Sequence, residues 1–378
     1  MATYKLGDIC EIVSGSTPKS GVAEYWDGDI KWITPAELND DSYIVNDTVR
    51  KITPLGVQKT GLSSFPSGTV ILSSRAPIGK VAIAGCEMYC NQGFKNLICS
   101  NVIDNRYLYW FLKGKTAYLN SLGRGATFKE ISKQIVASIE IEVPPMEQQI
   151  TIVELLEKIN EIIKSRQRQL CTLDTLIKAR FVEMFGDPVS KQGPKEKLSE
   201  TGKVYTGNTP SMKIPEYYES DDIPFIKPGD IAESGVTIVQ HVGAFISEKG
   251  RDAARVMPKG SVLVTCIGTI GKVGIAAQES CCNQQINFII PNDRYNPIYL
   301  AHCLSFFKDA LEDMANAPVV PIINKSQFSA LEIPTVSKIE QDSFAFFVSQ
   351  VDKSKVVIQQ ALDKTQLLFD KLIHQYFC

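Results

Sequence analysis

The sequence of 378 residues has no long hydrophobic run and no excess of charge of one sign. No stretch approaches the roughly eighteen apolar residues that a membrane-spanning helix needs, which excludes a helical membrane protein. The first residues, MATYKLGDICEIV, lack the basic and then apolar pattern of a secretory leader, so we expect a cytoplasmic protein. Lys and Arg number 40 and Asp and Glu number 42, for a formal net charge of −2. This balance argues against a protein that coats nucleic acid, because phosphate binding depends on Lys and Arg.

Histidine is scarce, and cysteine is present without the spacing of a metal site. The three histidines, His241, His302 and His374, are isolated along the chain. Of the ten cysteines, Cys86 and Cys90 are close in sequence, but no second pair of Cys or His follows at zinc-ligand spacing. The sequence therefore predicts no metal and no cofactor. The cysteines are expected to be reduced and to act as small apolar residues.

Catalytic motifs are missing as well. The phosphate-binding motif GxxxxGK[ST] does not occur, since the GK at 271–272 is followed by Val273. The tetrapeptide NPIY at 296–299 is similar to the Asn-Pro-Pro-Tyr motif of amino-methyltransferases, but Ile298 interrupts it and no glycine-rich cofactor loop precedes it. A helix start with proline in its first turn explains this tetrapeptide better. No serine lies in a motif for Ser/His/Asp catalysis, so the chain is predicted not to be an enzyme.

The chain contains related sequence twice, with a shift of 192 residues. Residues 67–92 align without a gap on residues 259–284, and 12 of these 26 positions are identical. The dipeptide KL at 5–6 returns at 197–198 with the same shift. A period of half the chain indicates a tandem duplication and not a solenoid of short repeats.

Each half has about 145 residues of mixed character followed by a helical pattern of about 40 residues. The apolar residues of the helical patterns step by four and three residues, which is the heptad spacing of coiled-coil helices. A helix this long without a break favours packing against another helix. The predicted coiled-coil seam consists of Ile152, Leu156, Ile159, Ile163, Leu170, Leu173, Ile177, Val348, Val351, Ile358, Leu362, Phe369 and Leu372.

We predict an α+β fold with two tandem mixed α/β domains, separated by two long helices that pack as an antiparallel coiled coil with pseudo-twofold symmetry. One alternative is parallel packing, which the short linker disfavours. The other is packing of each helix only against its own half. The predicted segments are a first domain at 1–145, a central helix at 146–187, a linker at 188–193, a second domain at 194–337 and a closing helix at 338–378.

Two related domains in one chain suit a ligand with two half-sites, and DNA is such a ligand. Framework residues are the same in both halves, for example GKV at 79–81 and at 271–273. The polar tips beside the framework differ, since residues 74–77 are SRAP and residues 266–269 are CIGT. A constant framework with variable tips is typical of binding loops on a rigid scaffold.

Five longer segments follow one another along the chain. They are KLGDICEIVSGSTPKS, ISKQIVASIEIEVPPMEQQ, FVEMFGDP, KLSETGKVYTGNTPS and PIINKSQFSALEIPTVSKIEQ. In this duplicated order they resemble the specificity subunit of type I restriction-modification systems, and the resemblance covers the whole chain. The entry to the second long helix departs from the first, because IPTVSKIEQ lacks the double proline of VPPMEQQ.

The resemblance implies two target-recognition domains that each read a few base pairs of a split DNA target. It implies that the paired helices set the gap between half-sites and dock two methyltransferase subunits, and that restriction/translocase subunits join through them. The chain itself would do no chemistry, whereas the assembled complex is expected to be an adenine DNA methyltransferase and an ATP-dependent endonuclease. The alternatives are a coiled-coil protein–protein adaptor without DNA readout and the specificity portion of a fused methyltransferase-nuclease.

Candidate DNA contacts are polar residues on predicted loops of both halves. Lys and Arg can bind guanine, and Asn and Gln can bind adenine, so residues that differ between the halves are the better candidates for base recognition. Residues that are duplicated are candidates for phosphate binding or for bracing the fold. The candidates in the first half are Thr17, Lys19, Arg75, Lys80, Asn91, Gln92, Lys95, Arg124 and Lys129. Those in the second half are Thr209, Lys213, Lys227, Lys272, Asn283, Gln284, Gln285, Asn287 and Lys325.

The charge is balanced within each domain and not only over the chain. Residues 1–145 hold 15 basic and 14 acidic residues, and residues 194–337 hold 13 basic and 16 acidic residues. Neither domain is basic, so we expect the isolated chain to bind double-stranded DNA weakly. Much of the phosphate contact would then come from the methyltransferase partners.

Overall fold

The computed structural model describes residues 2–75, 77–124, 129–315 and 320–377. They form two compact units: unit 1 is Met1–Arg166 with Ala361–Cys378, and unit 2 is Gln167–Gln360. Among the described residues, no helix is both long and apolar enough to cross a membrane.

The first half of the chain is built from short strands because its β-branched runs are interrupted by glycine and proline turns. Its strands are β1 (Ala2–Lys5), β2 (Cys10–Val13), β3 (Trp26–Ile33), β4 (Ile44–Val45), β5 (Lys51–Ile52), β6 (Val70–Leu72), β7 (Val81–Ala84), β8 (Tyr89–Cys90), β9 (Asn96–Cys99) and β10 (Glu140–Val143). Its helices are α1 (Leu6–Ile9), α2 (Pro54–Thr60), α3 (Asn105–Gly114), α4 (Thr116–Leu122), α5 (Lys133–Ala137) and α6 (Met146–Phe185).

A five-stranded sheet with the order β2-β9-β6-β7-β4 forms the centre of this half, and its pairs are antiparallel except for the parallel pair β4–β7. A three-stranded sheet has the order β5-β3-β8, and β1 pairs with β10. Helix α3 packs against β7. It buries Leu108 and Trp110 in the same core cluster as Val70 and Val81, so burial of apolar side chains holds this helix on the sheet.

The second half repeats this set of elements, except that it has no α-helix at the position of α2. Its strands are β11 (Lys195–Lys197), β12 (Gly202–Thr206), β13 (Ile223–Ile226), β14 (Val236–Val239), β15 (Phe245–Ile246), β16 (Val262–Ile267), β17 (Thr269–Ala276), β18 (Cys281–Cys282), β19 (Ile286–Pro291) and β20 (Glu332–Pro334). Its helices are α7 (Leu198–Thr201), α8 (Pro297–Ser305), α9 (Lys308–Met314), α10 (Lys325–Ala330) and α11 (Lys338–Phe377). The sheet orders β12-β19-β16-β17-β14 and β15-β13-β18 match those of the first half. The sequence duplication is therefore also a duplication of topology.

The long helices α6 and α11 have 40 residues each. Helix α6 begins directly after Pro145 and ends at Phe185. The next residue, Gly186, has a φ of 77°, which is the left-handed conformation that glycine adopts at helix C-termini. The predicted α+β fold, with tandem sheet-containing domains and long helices, is confirmed.

Each unit contains a segment of both long helices, and in unit 2 the two segments run antiparallel. In unit 2, Lys355 Nζ lies 2.7 Å from the carboxylate of Asp174. Seven residues further along α6, the ring of Phe181 packs 5.3 Å from that of Phe344, which lies earlier in α11. In unit 1, the guanidinium of Arg166 donates to the carbonyl of Ala361.

The end of α11 packs on the domain of the first half, because Phe377 makes an edge contact with Tyr107 at 5.2 Å in unit 1. The alternative in which each long helix packs only against its own half is therefore wrong.

Every residue of the predicted seam is buried or half-buried in the structure. Seven of them are buried: Ile152, Leu156, Ile159, Ile163, Ile177, Val348 and Val351. The others are half-buried: Leu170, Leu173, Ile358, Leu362, Phe369 and Leu372.

Candidate nucleic-acid interface

A close backbone contact holds the first predicted binding turn in place. A Cβ atom on Gly15 would lie 1.9 Å from the carbonyl oxygen of Cys90, so only glycine fits there. Two residues later, the hydroxyl of Thr17 donates to the side-chain oxygen of Gln92 at 2.5 Å. The turn and the segment after β8 therefore form one rigid surface element.

The second half has the same element. A Cβ atom on Gly207 would lie 2.2 Å from the carbonyl oxygen of Asn283, and Thr209 donates to Gln284 at 2.7 Å. Thr17 thus pairs with Gln92 in the first half, and Thr209 pairs with Gln284 in the second, each pair on an exposed surface. This pairing fits the framework role expected of duplicated residues.

Backbone hydrogen bonds fix the adjacent tips in the same way in both halves. In the first half, Ser74 N donates to Gly93 O at 2.7 Å, and Ile131 N donates to Ser74 O at 2.9 Å. The equivalent bonds in the second half are Cys266 N to Gln285 O and Ile323 N to Cys266 O, both at 2.8 Å. These two bonds are the same in both tips, although β16 and β17 continue into the second tip whereas β6 and β7 do not reach the first. The side chains at the equivalent positions differ between the tips.

The first tip carries a charged group of side chains, Ser74, Arg75, Lys95 and Glu130, which we call the first tip cluster. Arg75 Nε donates to Glu130 at 2.8 Å, and Lys95 Nζ lies 3.1 Å from the same carboxylate. Lys95 also donates to the hydroxyl of Ser74 at 3.3 Å. The neighbouring residue of the predicted tip, Ala76, lies outside the described residues.

The pKa of Glu130 is lowered from its ordinary value of 4.5: burial acts to raise it, but hydrogen bonds from Arg75 and Lys95 outweigh burial. We therefore expect the stabilisation from this carboxylate to be complete above the ordinary pKa and to be lost as the pH falls through the lowered pKa. Urea unfolding of the wild type and of Glu130→Gln at several pH values measures this. The difference in free energy of unfolding should shrink toward low pH.

The matched control is Glu154→Gln, which changes an exposed carboxylate on α6 in the same unit. The free energy of unfolding of this control should differ little from that of the wild type at every pH, because exposed side chains contribute little to stability. If the free energy of unfolding of Glu130→Gln differs from that of the wild type by the same amount at every pH, the expectation is contradicted.

The second tip carries an uncharged group at the equivalent positions, Cys266, Ile267, Asn287 and Ile322, which we call the second tip cluster. Ile267 and Ile322 form an isolated β-bridge, as Arg75 and Glu130 do in the first half. Asn287, at the position of Lys95, accepts a hydrogen bond from the hydroxyl of Thr206 at 2.7 Å. The charged pair of one tip is thus replaced by an isoleucine pair in the other.

Three predicted contacts lie in the interior. Lys95 is buried directly before β9. Lys272 is in β17 and Asn287 is in β19, so their predicted placement on loops is wrong. Lys272 Nζ donates to the carbonyl of Ile231 at 3.1 Å, and it lies 2.7 Å from the carboxylate of Glu233, which pairs its charge.

The remaining candidates are of two kinds: residues that hydrogen-bond to nearby backbone groups, and basic residues that are exposed. Asn91 accepts from Gly93 N at 2.9 Å, and Asn283 accepts from Gln285 N at 3.1 Å, so both asparagines brace their own turns. Lys80 donates to the carbonyl of Leu38. The exposed basic candidates are Lys19, Arg124, Lys129, Lys213, Lys227 and Lys325. Lys325 is the first residue of α10, so its predicted placement on a loop is wrong.

The part of the chain that the structure describes offers no cluster of His, Cys, Asp and Glu that could hold a metal ion. Burial raises the pKa of the Cys90 thiol and of the Cys266 thiol to about 12. These two cysteines are therefore protonated and pack as small apolar residues.

Comparison with known proteins accounts for this duplicated arrangement. The sequence model of the type I restriction modification DNA specificity domain matches the chain twice, at residues 1–172 and at residues 195–365. The chain belongs to this family. The two matches cover most of the chain and coincide with the two halves of the duplication.

Specificity subunits of named type I enzymes are similar in sequence. The chain is 36% identical over 244 residues to the MjaIX specificity subunit of Methanocaldococcus jannaschii, an alignment that covers 59% of this chain and 56% of that subunit. It is 37% identical over 150 residues to the HindI specificity subunit of Haemophilus influenzae, covering 37% of this chain and 31% of that subunit. These alignments span about half or less of the relatives' lengths.

Solved structures share the fold over the full chain. The S subunit of a type I restriction-modification system from M. genitalium has a TM-score of 0.59 at 13% identity, covering 100% of this chain and 96% of that chain. A chain from a study of complex assembly and conformational transition of the type I R-M system has a TM-score of 0.61 at 18% identity, with 100% and 97% covered.

Two buried glutamines that sequence reasoning missed attach the long helices of this specificity-domain chain to the starts of α3 and α8. Gln149 accepts from Asp104 N at 2.8 Å and donates to Pro144 O at 2.9 Å. Gln341, which is 192 residues later, accepts from Asn296 N at 2.9 Å and donates to Val336 O at 2.9 Å. The lack of a double proline before α11 therefore leaves the attachment unchanged. The sequence does contain a signal for these two residues, because the segments MEQQ and KIEQ at the starts of the long helices both end in glutamine.

Proposed function

We propose that the chain is the DNA-specificity subunit of a type I restriction-modification complex and that each half reads one half of a bipartite DNA target. The observation that carries the proposal is that the two tips share backbone hydrogen bonds and a β-bridge but carry different side chains. Bases are distinguished by the side chains presented to the groove, so one frame with two sets of side chains reads two different half-sites. Membership of the specificity-domain family supports the same proposal.

The long helices are the proposed docking surface for two methyltransferase subunits and the spacer between half-sites. Large apolar side chains remain exposed on both helices outside the seam, among them Leu176 on α6 and Phe346, Val357 and Leu367 on α11, which are 45–68% exposed. Exposed apolar groups in such number are typical of protein interfaces. Restriction/translocase subunits are proposed to join through the methyltransferase subunits.

The proposed chain is non-catalytic and acts in the cytoplasm as a reader and scaffold. The adenine methylation and the ATP-dependent cleavage belong to its partners in this proposal. Since neither domain is basic, the partners also supply much of the phosphate contact. The purified chain is expected to bind random duplex DNA weakly at physiological salt.

Co-expression with its cognate methyltransferase subunit in a host without adenine methylation tests the proposal. We expect N6-methyladenine in a split, asymmetric motif, because two different readers in one chain specify two different half-sites. Single-molecule sequencing of the host DNA measures both the motif and its methylated fraction.

The control is the methyltransferase subunit expressed alone, which should leave the motif unmethylated. Methylation in a single continuous or symmetric motif would contradict two independent readers. A chain that co-purifies with the methyltransferase while the DNA stays unmethylated would support the adaptor alternative instead.

A further inference from the structure

The two tip clusters lie at equivalent positions of the two halves, but the first offers charged groups to a ligand and the second offers isoleucine side chains. In the first, two cations and one carboxylate meet, and the side chain of Arg75 is 43% exposed. In the second, the bridge pair is isoleucine, and Ile322 is 45% exposed. The two tips therefore share backbone hydrogen bonds and differ in the side chains that a ligand would meet.

Arg75 is held through one nitrogen of its guanidinium group. Its Nε atom donates to Glu130 at 2.8 Å, and Glu130 is itself held by Lys95 at 3.1 Å. Among the described residues, no hydrogen bond or ion pair of the two terminal nitrogens of Arg75 is found. A guanidinium fixed through Nε presents its terminal N–H groups as a preorganised fork, and this fork matches the O6 and N7 acceptors of guanine.

The isoleucine pair of the second tip offers only apolar surface. Ile267 and Ile322 face each other across the bridge where the first tip has its ion pair. Burial of a large exposed apolar side chain against a ligand is favourable, whereas burial of a polar base edge against it is not. The C5 methyl group of thymine is the apolar feature of the major groove.

We propose that Arg75, positioned by Glu130, contacts guanine in one half-site, and that Ile267 and Ile322 contact the methyl group of thymine in the other. The inference rests on the proposed function and adds to it the bases that each tip reads. Lys95 and Asn287 support their tips from inside the domain and do not touch the bases.

Rates of methylation by the purified complex, measured on duplexes in which each position of the target is varied in turn, test this inference. Arg75→Lys keeps the charge but loses the fork, and Ile322→Ala shortens the apolar surface. We expect Arg75→Lys to reduce the preference for G·C at one position of the first half-site by roughly tenfold. We expect Ile322→Ala to reduce the preference for T·A at one position of the second half-site by roughly fivefold. Each variant should leave the other half-site unchanged.

Matched controls come from the same units. Ile238→Ala removes an isoleucine side chain of almost the same exposure, 44%, from β14. Arg106→Lys changes an arginine that is 37% exposed and lies 3.6 Å from Glu157. Neither should alter the preference at any position. Glu130→Gln keeps the size of the anchor but removes its charge, and it should weaken the same G·C preference as Arg75→Lys.

The outcomes separate the inference from the proposed function. A methylated bipartite motif that the tip variants leave unchanged overturns the inference and leaves the proposed function standing. A wild-type motif without G·C in the first half-site or without T·A in the second also overturns it. Absence of a methylated bipartite motif from the wild-type complex overturns the proposed function and the inference together.

Discussion

A Phe181→Ala variant is expected to lower the free energy of unfolding of unit 2 by about 3–5 kcal/mol. Phe181 is fully buried where α6, α8 and α11 meet. Its ring lies 5.6 Å from that of Tyr299 on α8 and 5.3 Å from that of Phe344 on α11. Large rings from three helices cannot close over the space that the benzyl group leaves, so the variant keeps a cavity and loses the contacts that surround it.

Urea unfolding followed by circular dichroism measures the loss, and hydrogen exchange in α8 assigns it to unit 2. The matched control is Phe346→Ala on α11, because Phe346 is the same residue type but 68% exposed. The control should change stability by no more than about 0.5 kcal/mol. Equal losses from both variants would contradict the assignment of Phe181 as the residue that joins the three helices.

A Gly15→Ala variant is expected to destabilise unit 1 by about 3 kcal/mol or more. The added Cβ would lie 1.9 Å from the carbonyl oxygen of Cys90, and a backbone atom cannot move aside as a flexible side chain can. The turn must therefore separate from the segment after β8. This separation would break the bond from Thr17 to Gln92 and would also disturb the 3.1 Å bond from the Trp32 indole to Ser16 O.

Tryptophan fluorescence during urea unfolding measures this effect, because all three tryptophans are in unit 1. Gly21→Ala is the matched control, since a Cβ at Gly21 meets nothing within 4 Å. The equivalent comparison in unit 2, Gly207→Ala against Gly229→Ala, is followed by hydrogen exchange because unit 2 has no tryptophan. Loss of stability from Gly21→Ala as large as that from Gly15→Ala would show that the close approach is not the cause.

Periodicity and repetition in the sequence were enough to predict the larger features. The heptad spacing of residues such as Leu156 and Val348 predicts one buried face on each long helix, because 3.6 residues per turn places them on one side. The fixed shift of 192 residues predicts two domains of one fold. Both signals are local or internal to the sequence, so they do not depend on knowing which distant segments meet.

The roles of single residues in the candidate interface could not be predicted in this way. Lys272 reads as an exposed lysine in a turn, but it is buried because a segment 41 residues away in sequence supplies the carbonyl of Ile231. Lys95 is neutralised by Glu130, which is 35 residues away. The burial of a charge depends on such partners, and the sequence does not state them.

The sequence by itself determined the duplication, the α+β class, the long helices and the family resemblance, because repeats and heptads are visible along one chain. Only the tertiary structure decided which side chains share a tip. It brings Arg75 to Glu130 and Ile267 to Ile322, each pair 55 residues apart in sequence, through backbone bonds between separate segments. Recognition of a ligand depends on which side chains are close together in space, and the separation of two residues along the chain does not predict whether they are close.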